Sequence, residues 1–346
     1  MVPTTTTSTT NSAQSDRFQI LALSGGGFRG LFTAKILAEI EQHIGSPVAS
    51  RFDLLAGTSI GGILALALAM EIPASDMVRL FEKHGAEIFS RRRLTLLGTL
   101  KSTYTAERLR DLLQQDELFG GRLLSACKHR VIVPSINYST GKPVIFKTAH
   151  HPNFVGDHRL RLVDIALATS AAPMYFPRHV FENSQYVDGG LYANAPGLLA
   201  LHEAEKFLGQ GADNVWAVSI GTMSSRFTVN PSRNRSGGTW DWGGWFPANA
   251  PKRLFGLAIS IQESTTQFML SHRLDQRYIH VDETLTDEKA KAVALDKTDA
   301  AAREALLGSA SEASKACLGN PDFRQYLQHA APVPQFFYAE KAPQSR

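Results

Sequence analysis

The spacing of apolar residues changes along the chain from continuous runs to helical periodicity and back. Residues 18–24 form a short apolar run typical of a buried strand, and residues 31–44 repeat apolar positions at helical spacing. Residues 52–56 form a second run, and the segment after Gly61 is apolar almost all round, like a helix packed against a sheet. This repeated strand, turn and helix predicts an α/β fold, with a mostly parallel central sheet flanked by helices.

The rest of the chain continues this alternation with two interruptions. Strands are predicted within KHRVIVPSINY, YVDGG, NVWAVSIGT and RYIHVDE, and helices at residues 104–115, 161–169 and 196–208. Residues 224–252 are rich in tryptophan and follow neither period, and residues 284–329 return to a helical composition.

Composition suggests how these segments form domains. Residues 1–16 are rich in Thr and Ser and have no basic n-region or apolar h-region, which predicts a disordered tail rather than a signal peptide. Residues 17–346 are expected to form one large domain, with residues 224–252 as an insertion. Residues 54–70 are uncharged, but a glycine-containing turn splits them, so a buried strand and helix are predicted instead of a membrane span.

Charge and cysteine content narrow the class of protein. Apolar residues make up 43% of the 346 residues and charged residues 20%, as in soluble globular proteins. Cys127 and Cys317 are too few for a disulfide framework or a metal cluster, which favours a reducing compartment and a cytoplasmic location. The net charge of +4 is mild, and no nucleic-acid-binding motif accompanies it.

Gly25, Gly27 and Gly30 form a G-x-G-x-x-G sequence between the first predicted strand and helix. Such a turn suits a dinucleotide pyrophosphate, and it equally suits an oxyanion hole, where backbone N–H groups approach a reacting carbonyl oxygen. A dinucleotide site also needs an acidic residue near the end of the second strand. Asp53 instead begins that strand, which favours the oxyanion hole.

A G-x-S-x-G sequence at residues 57–61 follows the second predicted strand. Its glycines, Gly57 and Gly61, permit a tight turn that lifts the Ser59 hydroxyl above the sheet, where a helix N-terminus favours negative charge. Ser59 is therefore the predicted nucleophile. The alternative is a chance occurrence of the sequence where a helix begins among small residues.

Two motifs at the tips of successive strands support each other. We expect the N–H groups of Gly26, Gly27 and Phe28 to point toward the space beside Ser59. Arg29 has two candidate roles, since its charge could reinforce the oxyanion hole or its side chain could pin the loop through a hydrogen bond.

The nucleophile needs a base, and Asp188 is the favoured candidate. The downstream histidines, His202, His272, His280 and His329, lack the glycine-rich or strand-end setting of a catalytic loop. Asp188 ends a predicted strand and precedes Gly189 and Gly190, so its carboxylate would project freely and could take the serine proton directly. An Asp-Gly turn closing a hairpin is the alternative.

Three sequences in order, SGGGFRG, GTSIGG and DGGLYANAP, resemble the motifs of the patatin-like phospholipase family. ATSAAPMYFP at residues 168–177 resembles the segment that precedes the catalytic Asp in that family, and the resemblance covers about residues 17–222. It implies a patatin-like three-layer fold, with residues 17–346 as the catalytic domain. It also implies a Ser59–Asp188 dyad, elbow glycines Gly57 and Gly61, and an oxyanion loop of Gly25, Gly26, Gly27, Phe28, Arg29 and Gly30.

The resemblance further implies a serine acyl hydrolase that cleaves acyl esters of membrane phospholipids, in peripheral contact with the inner membrane and without a cofactor or metal. LSGGGFRGLFTAKIL and the Trp-rich insertion are similar to bacterial antiphage effectors activated by cyclic nucleotides, which implies a cyclic di- or trinucleotide activator and a homo-oligomer. The open alternatives are a constitutive lipid acyl hydrolase or lysophospholipase, a non-catalytic storage or interaction scaffold, and a nucleotide-binding protein.

Two sets of residues are candidates for lipid contact and for control. Aromatic residues cluster in the insertion and suit either a membrane-contacting lid or packing over the core; they are Trp240, Trp242, Trp245 and Phe246. A phospholipase inside the cell needs a gate, so we expect a switch worked by a ligand or by assembly. Arginines Arg91, Arg92 and Arg93, or Arg233 and Arg235, are candidates for phosphate contacts, although basic clusters are usually solvated surface.

Overall fold

A computed structural model of the chain describes residues 17–90, 102–223, 242, 250–283, 285 and 293–338. The strands are β1 (Phe18–Leu23), β2 (Leu54–Gly57), β3 (Val131–Asn137), β4 (Lys142–Lys147), β5 (His179–Phe181), β6 (Ser184–Asp188), β7 (Val215–Ile220) and β8 (Tyr278–Val281). The helices are α1 (Gly30–Ile44), α2 (Ile60–Ala69), α3 (Ala74–Ile88), α4 (Glu107–Leu113), α5 (Leu162–Thr169), α6 (Gly190–Ala193), α7 (Gly197–Phe207), α8 (Ala250–Leu274), α9 (Ala300–Gly319) and α10 (Pro321–Gln328).

The eight strands form one sheet in the order β5-β6-β3-β2-β1-β7-β8, with β4 also paired to β3. The five strands from β3 to β8 in this order are parallel. The pairs β3–β4, β3–β6 and β5–β6 are antiparallel. The predicted α/β fold with a mostly parallel central sheet is therefore confirmed.

Helices cover both faces of this sheet. Leu21 and Leu23 of β1 belong to an apolar cluster with residues of α1, α2 and α5. Phe18 and Ile20 point the other way, into a cluster with residues of α7 and the end of α8. Because both faces are buried, the central strands are continuous apolar runs, which is why the sequence pattern predicts them.

The structure adds α3, β4, β5 and α8 to the predicted elements. Residues 250–252, at the end of the Trp-rich insertion, are the first residues of α8. The apolar residues of α8 lie on more than one side of the helix, since Leu270 is buried while Leu254 and Ile261 are exposed. Such a helix shows no single apolar face in its sequence.

The uncharged residues 54–70 form β2 and α2, as predicted. Within the described ranges, no helix has both the length and the apolar character needed to cross a bilayer.

Candidate active site

β2 and β6 share one edge of β3 and run toward each other. β4 pairs with residues 132–137 of β3 along its other edge. The shared edge therefore holds β2 at residues 131–132 and β6 at residues 135–137. β2 is parallel to β3 and β6 is antiparallel, so their carboxyl ends meet. Ser59 follows the end of β2 and Asp188 ends β6, and the topology thus brings the two predicted catalytic residues together.

The Ser59 and Asp188 side chains are hydrogen-bonded in this arrangement. Ser59 Oγ donates to Asp188 Oδ2 at 2.7 Å, and the Gly190 N–H donates to Asp188 Oδ1 at 2.7 Å. Asp188 is 1% exposed. A buried carboxylate that already accepts the hydroxyl hydrogen bond is placed to take the proton as the oxygen attacks.

Ser59 lies on a strained turn between β2 and α2. Its φ of 55° is in the left-handed region, which is typical of a nucleophile elbow. A Cβ on Gly57 would overlap the Gly61 carbonyl, and a Cβ on Gly61 would overlap the Leu23 carbonyl. The Ser59 N–H donates to Thr169 Oγ1 at 3.0 Å, so a side chain at the end of α5 helps to fix the turn.

The oxyanion loop, residues 25–30, joins β1 to α1. Four of its N–H groups donate to protein acceptors, namely those of Gly25, Phe28, Arg29 and Gly30. Within the part of the chain that the structure describes, the Gly26 and Gly27 N–H groups have no hydrogen-bond acceptor. Both glycines line the same cavity as Ser59. These two amides are therefore the donors available to an oxyanion.

A narrow apolar cavity lies above the dyad. Its walls come from α3 and the residue after it, the loop before β5, α8 and the segment before α9; they include Phe81, Ile88, Phe89, Tyr175, Phe176, Phe255, Ile259 and Leu295. The polar side chains that line the cavity include those of Ser59, Asp188 and Asn194. The arrangement suits an acyl chain whose ester carbonyl is held beside Ser59.

A family model described as patatin-like phospholipase matches residues 21–201. The chain belongs to the patatin-like phospholipase family. A cGAMP-activated phospholipase of Pseudomonas aeruginosa is 44% identical over 326 residues, which cover 93% of this chain and 95% of that protein. A cGAMP-activated phospholipase of Vibrio cholerae is 36% identical over 321 residues, which cover 82% and 87%. The resemblance inferred from three motifs is confirmed.

Among solved structures, human GIVD cytosolic phospholipase A2 in complex with methyl gamma-linolenyl fluorophosphonate is similar, with a TM-score of 0.43. It shares 13% sequence identity, and the match covers 92% of this chain and 60% of that one.

The environment of Asp188 adjusts its basicity. Burial raises the pKa of Asp188 to about 7, while the hydrogen bonds from Ser59 and Gly190 act in the opposite direction. A base with a pKa near neutrality holds a proton better than an ordinary aspartate and is still ionised in part at neutral pH. Burial thus makes the Asp188 carboxylate a stronger base than that of an exposed aspartate.

The pH dependence of activity tests this basicity. Because Asp188 must be ionised to accept a proton, we expect kcat/KM to rise about tenfold per pH unit below about pH 7 and to level off above it. Burial also raises the pKa of Glu263, in α8, to about 7. The profile is therefore repeated with Glu263→Gln, whose midpoint should stay the same. A flat profile, or a midpoint that disappears with Glu263→Gln, would contradict the assignment to Asp188.

Arg29 and Phe28, in the glycine-rich loop, make hydrogen bonds that hold this loop in place. Arg29 Nη1 donates to the Met223 carbonyl at 2.8 Å, so the buried guanidinium ties the loop to the segment after β7. This contact matches the second of its two candidate roles. The Phe28 N–H donates to the Leu295 carbonyl at 2.8 Å, so this amide is engaged instead of facing Ser59.

The downstream histidines lie elsewhere. His329 Nε2 is 2.9 Å from Asp53 Oδ2, at the opposite end of β2 from Ser59. His280 Nε2 is 2.7 Å from Gln267 Nε2, beside α8. Among the described residues that line the cavity there is no histidine.

Sequence reasoning missed three polar residues that support the site, namely Thr169, Asn194 and Thr222. Asn194 lies in DGGLYANAP, so the motif itself carried a signal for it. Thr169 lies in ATSAAPMYFP, which carried a signal in the same way, whereas Thr222 acts through a tertiary contact that has no local pattern.

Most residues predicted to contact lipid or phosphate lie outside the described ranges. These residues are Arg91, Arg92, Arg93, Arg233, Arg235, Trp240, Trp245 and Phe246. Trp242 is described, and its carbonyl accepts a hydrogen bond from Arg253 Nη1 at 3.1 Å. Their roles in lipid contact and phosphate binding stay predictions.

Proposed function

We propose that this chain hydrolyses acyl esters of membrane phospholipids with Ser59 as nucleophile and Asp188 as base, and that a cyclic nucleotide activates it. The observation that carries the proposal is the 2.7 Å hydrogen bond from Ser59 Oγ to Asp188 Oδ2. It lies beside the Gly26 and Gly27 amides and beneath an apolar cavity.

The reaction follows from these positions. Asp188 takes the proton of Ser59 as its oxygen attacks the ester carbonyl, and the Gly26 and Gly27 N–H groups hold the resulting oxyanion. The tetrahedral intermediate expels the alcohol oxygen of the lipid, which receives the proton from Asp188. Water then attacks the acyl-serine, with Asp188 again as base, and the fatty acid leaves with Ser59 regenerated.

A bilayer substrate is supported by exposed apolar residues near the cavity. Leu254 and Ile261 of α8 are 48% and 57% exposed, and they flank Phe255 and Ile259, which line the cavity. Leu191, which is 38% exposed, is tied to the same helix because its carbonyl accepts a hydrogen bond from Gln262. Exposed apolar side chains on the helix that also lines a lipid site suit contact with acyl chains at a membrane surface.

Activation by a cyclic nucleotide is supported by the relatives, two of which are named cGAMP-activated phospholipases and align with most of this chain. Activation of this kind requires two forms of the protein, a closed one and an open one that binds the lipid. A ligand that favours the open form would raise activity by its difference in affinity for the two forms.

Defined phospholipid vesicles test both parts of the proposal. Released fatty acids and lysolipids are measured by mass spectrometry, with and without a panel of cyclic di- and trinucleotides, and with Ser59→Ala as the blank. We expect stimulation of about tenfold or more, which corresponds to a coupling of about 1.4 kcal/mol. High activity that no nucleotide changes would identify a constitutive lipid hydrolase, and cleavage of monoacyl lipids alone would identify a lysophospholipase.

A further inference from the structure

The Gly25 carbonyl and the Gly26 N–H belong to the same peptide unit. In a trans peptide these two groups point in opposite directions, so whatever fixes the carbonyl also fixes the direction of the N–H. The Gly26 N–H is one of the two amides available to an oxyanion. The groups that hold the Gly25 carbonyl therefore decide whether this amide faces the reacting ester.

Two buried side chains hold that carbonyl. Thr222 Oγ1 donates to the Gly25 carbonyl at 2.9 Å, and Asn194 Nδ2 donates to it at 3.2 Å. The Gly25 N–H in turn donates to the Asn194 carbonyl at 3.0 Å. Thr222 is 1% exposed and Asn194 is 2% exposed, so water does not compete for these bonds.

The glycines of the loop match these two side chains. A Cβ on Gly25 would overlap Asn194 Oδ1, and a Cβ on Gly26 would overlap Thr222 Oγ1. Each side chain thus packs against the peptide that it also holds by a hydrogen bond. The close approach explains, independently of the hydrogen bonds, why residues 25 and 26 are both glycine.

We propose that Thr222 and Asn194 are positioning residues for the oxyanion hole, which hold the Gly25–Gly26 peptide so that its N–H faces the ester. The inference rests on the proposed hydrolase function and assigns the oxyanion donor's direction to named side chains. Two donors on the carbonyl also polarise the peptide, which makes the N–H on its other side a stronger donor.

Helix α8 fixes Asn194 in turn. Asn194 Nδ2 donates its second hydrogen to Glu263 Oε1 at 2.8 Å, and the Asn194 N–H donates to Gln262 Oε1 at 3.0 Å. The same helix supplies Phe255 and Ile259 to the cavity wall. One element therefore contributes to the acyl-binding wall and supports the peptide that receives the oxyanion.

The test compares two buried threonines that each donate to a backbone carbonyl. Thr222 donates to Gly25, whereas Thr148, which is 1% exposed, donates to the Val131 carbonyl at 3.4 Å, and neither Thr148 nor Val131 lines the cavity. Thr222→Val and Thr148→Val both remove a hydroxyl and keep the side-chain shape. Thr222→Ser keeps the donor and should restore activity.

The assay uses a soluble p-nitrophenyl ester and its thiono analogue, whose C=S sulfur accepts hydrogen bonds weakly. We expect Thr222→Val to lower kcat on the oxygen ester about tenfold or more, with KM changed less than about twofold. The thiono ester should lose less, so the rate on the oxygen ester divided by the rate on the thiono ester falls for Thr222→Val and not for Thr148→Val.

Asn194→Ala is measured alongside and should lower the same ratio, so the test does not depend on one variant folding. Equal losses on the two esters, or a Thr222→Val enzyme as active as Thr148→Val, would overturn the positioning role. If the wild-type chain cleaved neither ester nor phospholipid, the proposed function itself would be wrong, which is a separate outcome.

Discussion

Ser59→Ala and Asp188→Asn are each expected to lower the rate of ester hydrolysis by about three orders of magnitude or more. Ser59→Ala removes the atom that forms the acyl bond. Asp188→Asn keeps the size of the side chain but removes the group that accepts the proton across the 2.7 Å hydrogen bond. Hydrolysis of a soluble ester by purified protein measures the loss, since this substrate does not depend on membrane binding.

Thermal unfolding separates this loss from a loss of structure. Folding raises the pKa of Asp188 from 3.8 to about 7, so above that pH the ionised carboxylate opposes folding. Asparagine carries no charge, and we therefore expect the unfolding midpoint of Asp188→Asn at about pH 8 to equal or exceed that of the wild type.

Asp164→Asn is the matched control for Asp188→Asn. Asp164 Oδ1 is 2.9 Å from His179 Nε2, and Asp164 does not line the cavity. This variant should keep its activity. Near-normal rates for Asp188→Asn, together with an essential downstream histidine, would contradict the dyad.

The sequence could predict the central sheet and the local turns because both depend on neighbouring residues. β1 and β2 are buried on both faces, so their apolar runs are continuous. The turns at residues 25–30 and 57–61 need glycine for close backbone approach, which leaves a visible motif. The motifs and the strands before them together place Ser59 and the oxyanion loop at the carboxyl ends of two neighbouring strands.

The contact between Ser59 and Asp188 could not be derived from local patterns, because 129 residues separate them. It depends on β6 running antiparallel along the edge of β3 that β2 leaves. The sequence does not predict β4 or β5, which complete this part of the sheet, since only one of the six residues of β4 is buried and β5 has three residues. The dyad was inferred from the setting of Asp188 and from a family resemblance.

The sequence also could not show which N–H groups of residues 25–30 are bound by the protein and which are available to an oxyanion. Six residues were assigned to the loop, yet the N–H groups that lack a protein acceptor in the described part of the chain are those of Gly26 and Gly27. The Phe28 N–H donates a hydrogen bond to the carbonyl of Leu295, which is distant in sequence. Hydrogen bonds of this kind depend on tertiary placement, and no spacing rule gives them.

Gly27→Val is expected to lower ester hydrolysis by about two orders of magnitude, because it disturbs an oxyanion donor directly. Gly27 has a φ of 58°, which a β-branched residue adopts only under strain. A Cβ there would also overlap the Leu295 carbonyl, which holds the Phe28 N–H. The loop would have to move, and the Gly27 amide would move with it.

Gly45→Val separates backbone strain from damage to the site. Gly45 ends α1 with a φ of 63°, and a Cβ there meets nothing within 4 Å. Both variants therefore strain the backbone to a similar degree, but only Gly27→Val displaces an oxyanion donor. We expect Gly45→Val to lose stability and keep its kcat, whereas Gly27→Val loses kcat at temperatures where it is still folded. Equal kcat values for the two folded variants would show that the Gly27 amide does not contact the transition state.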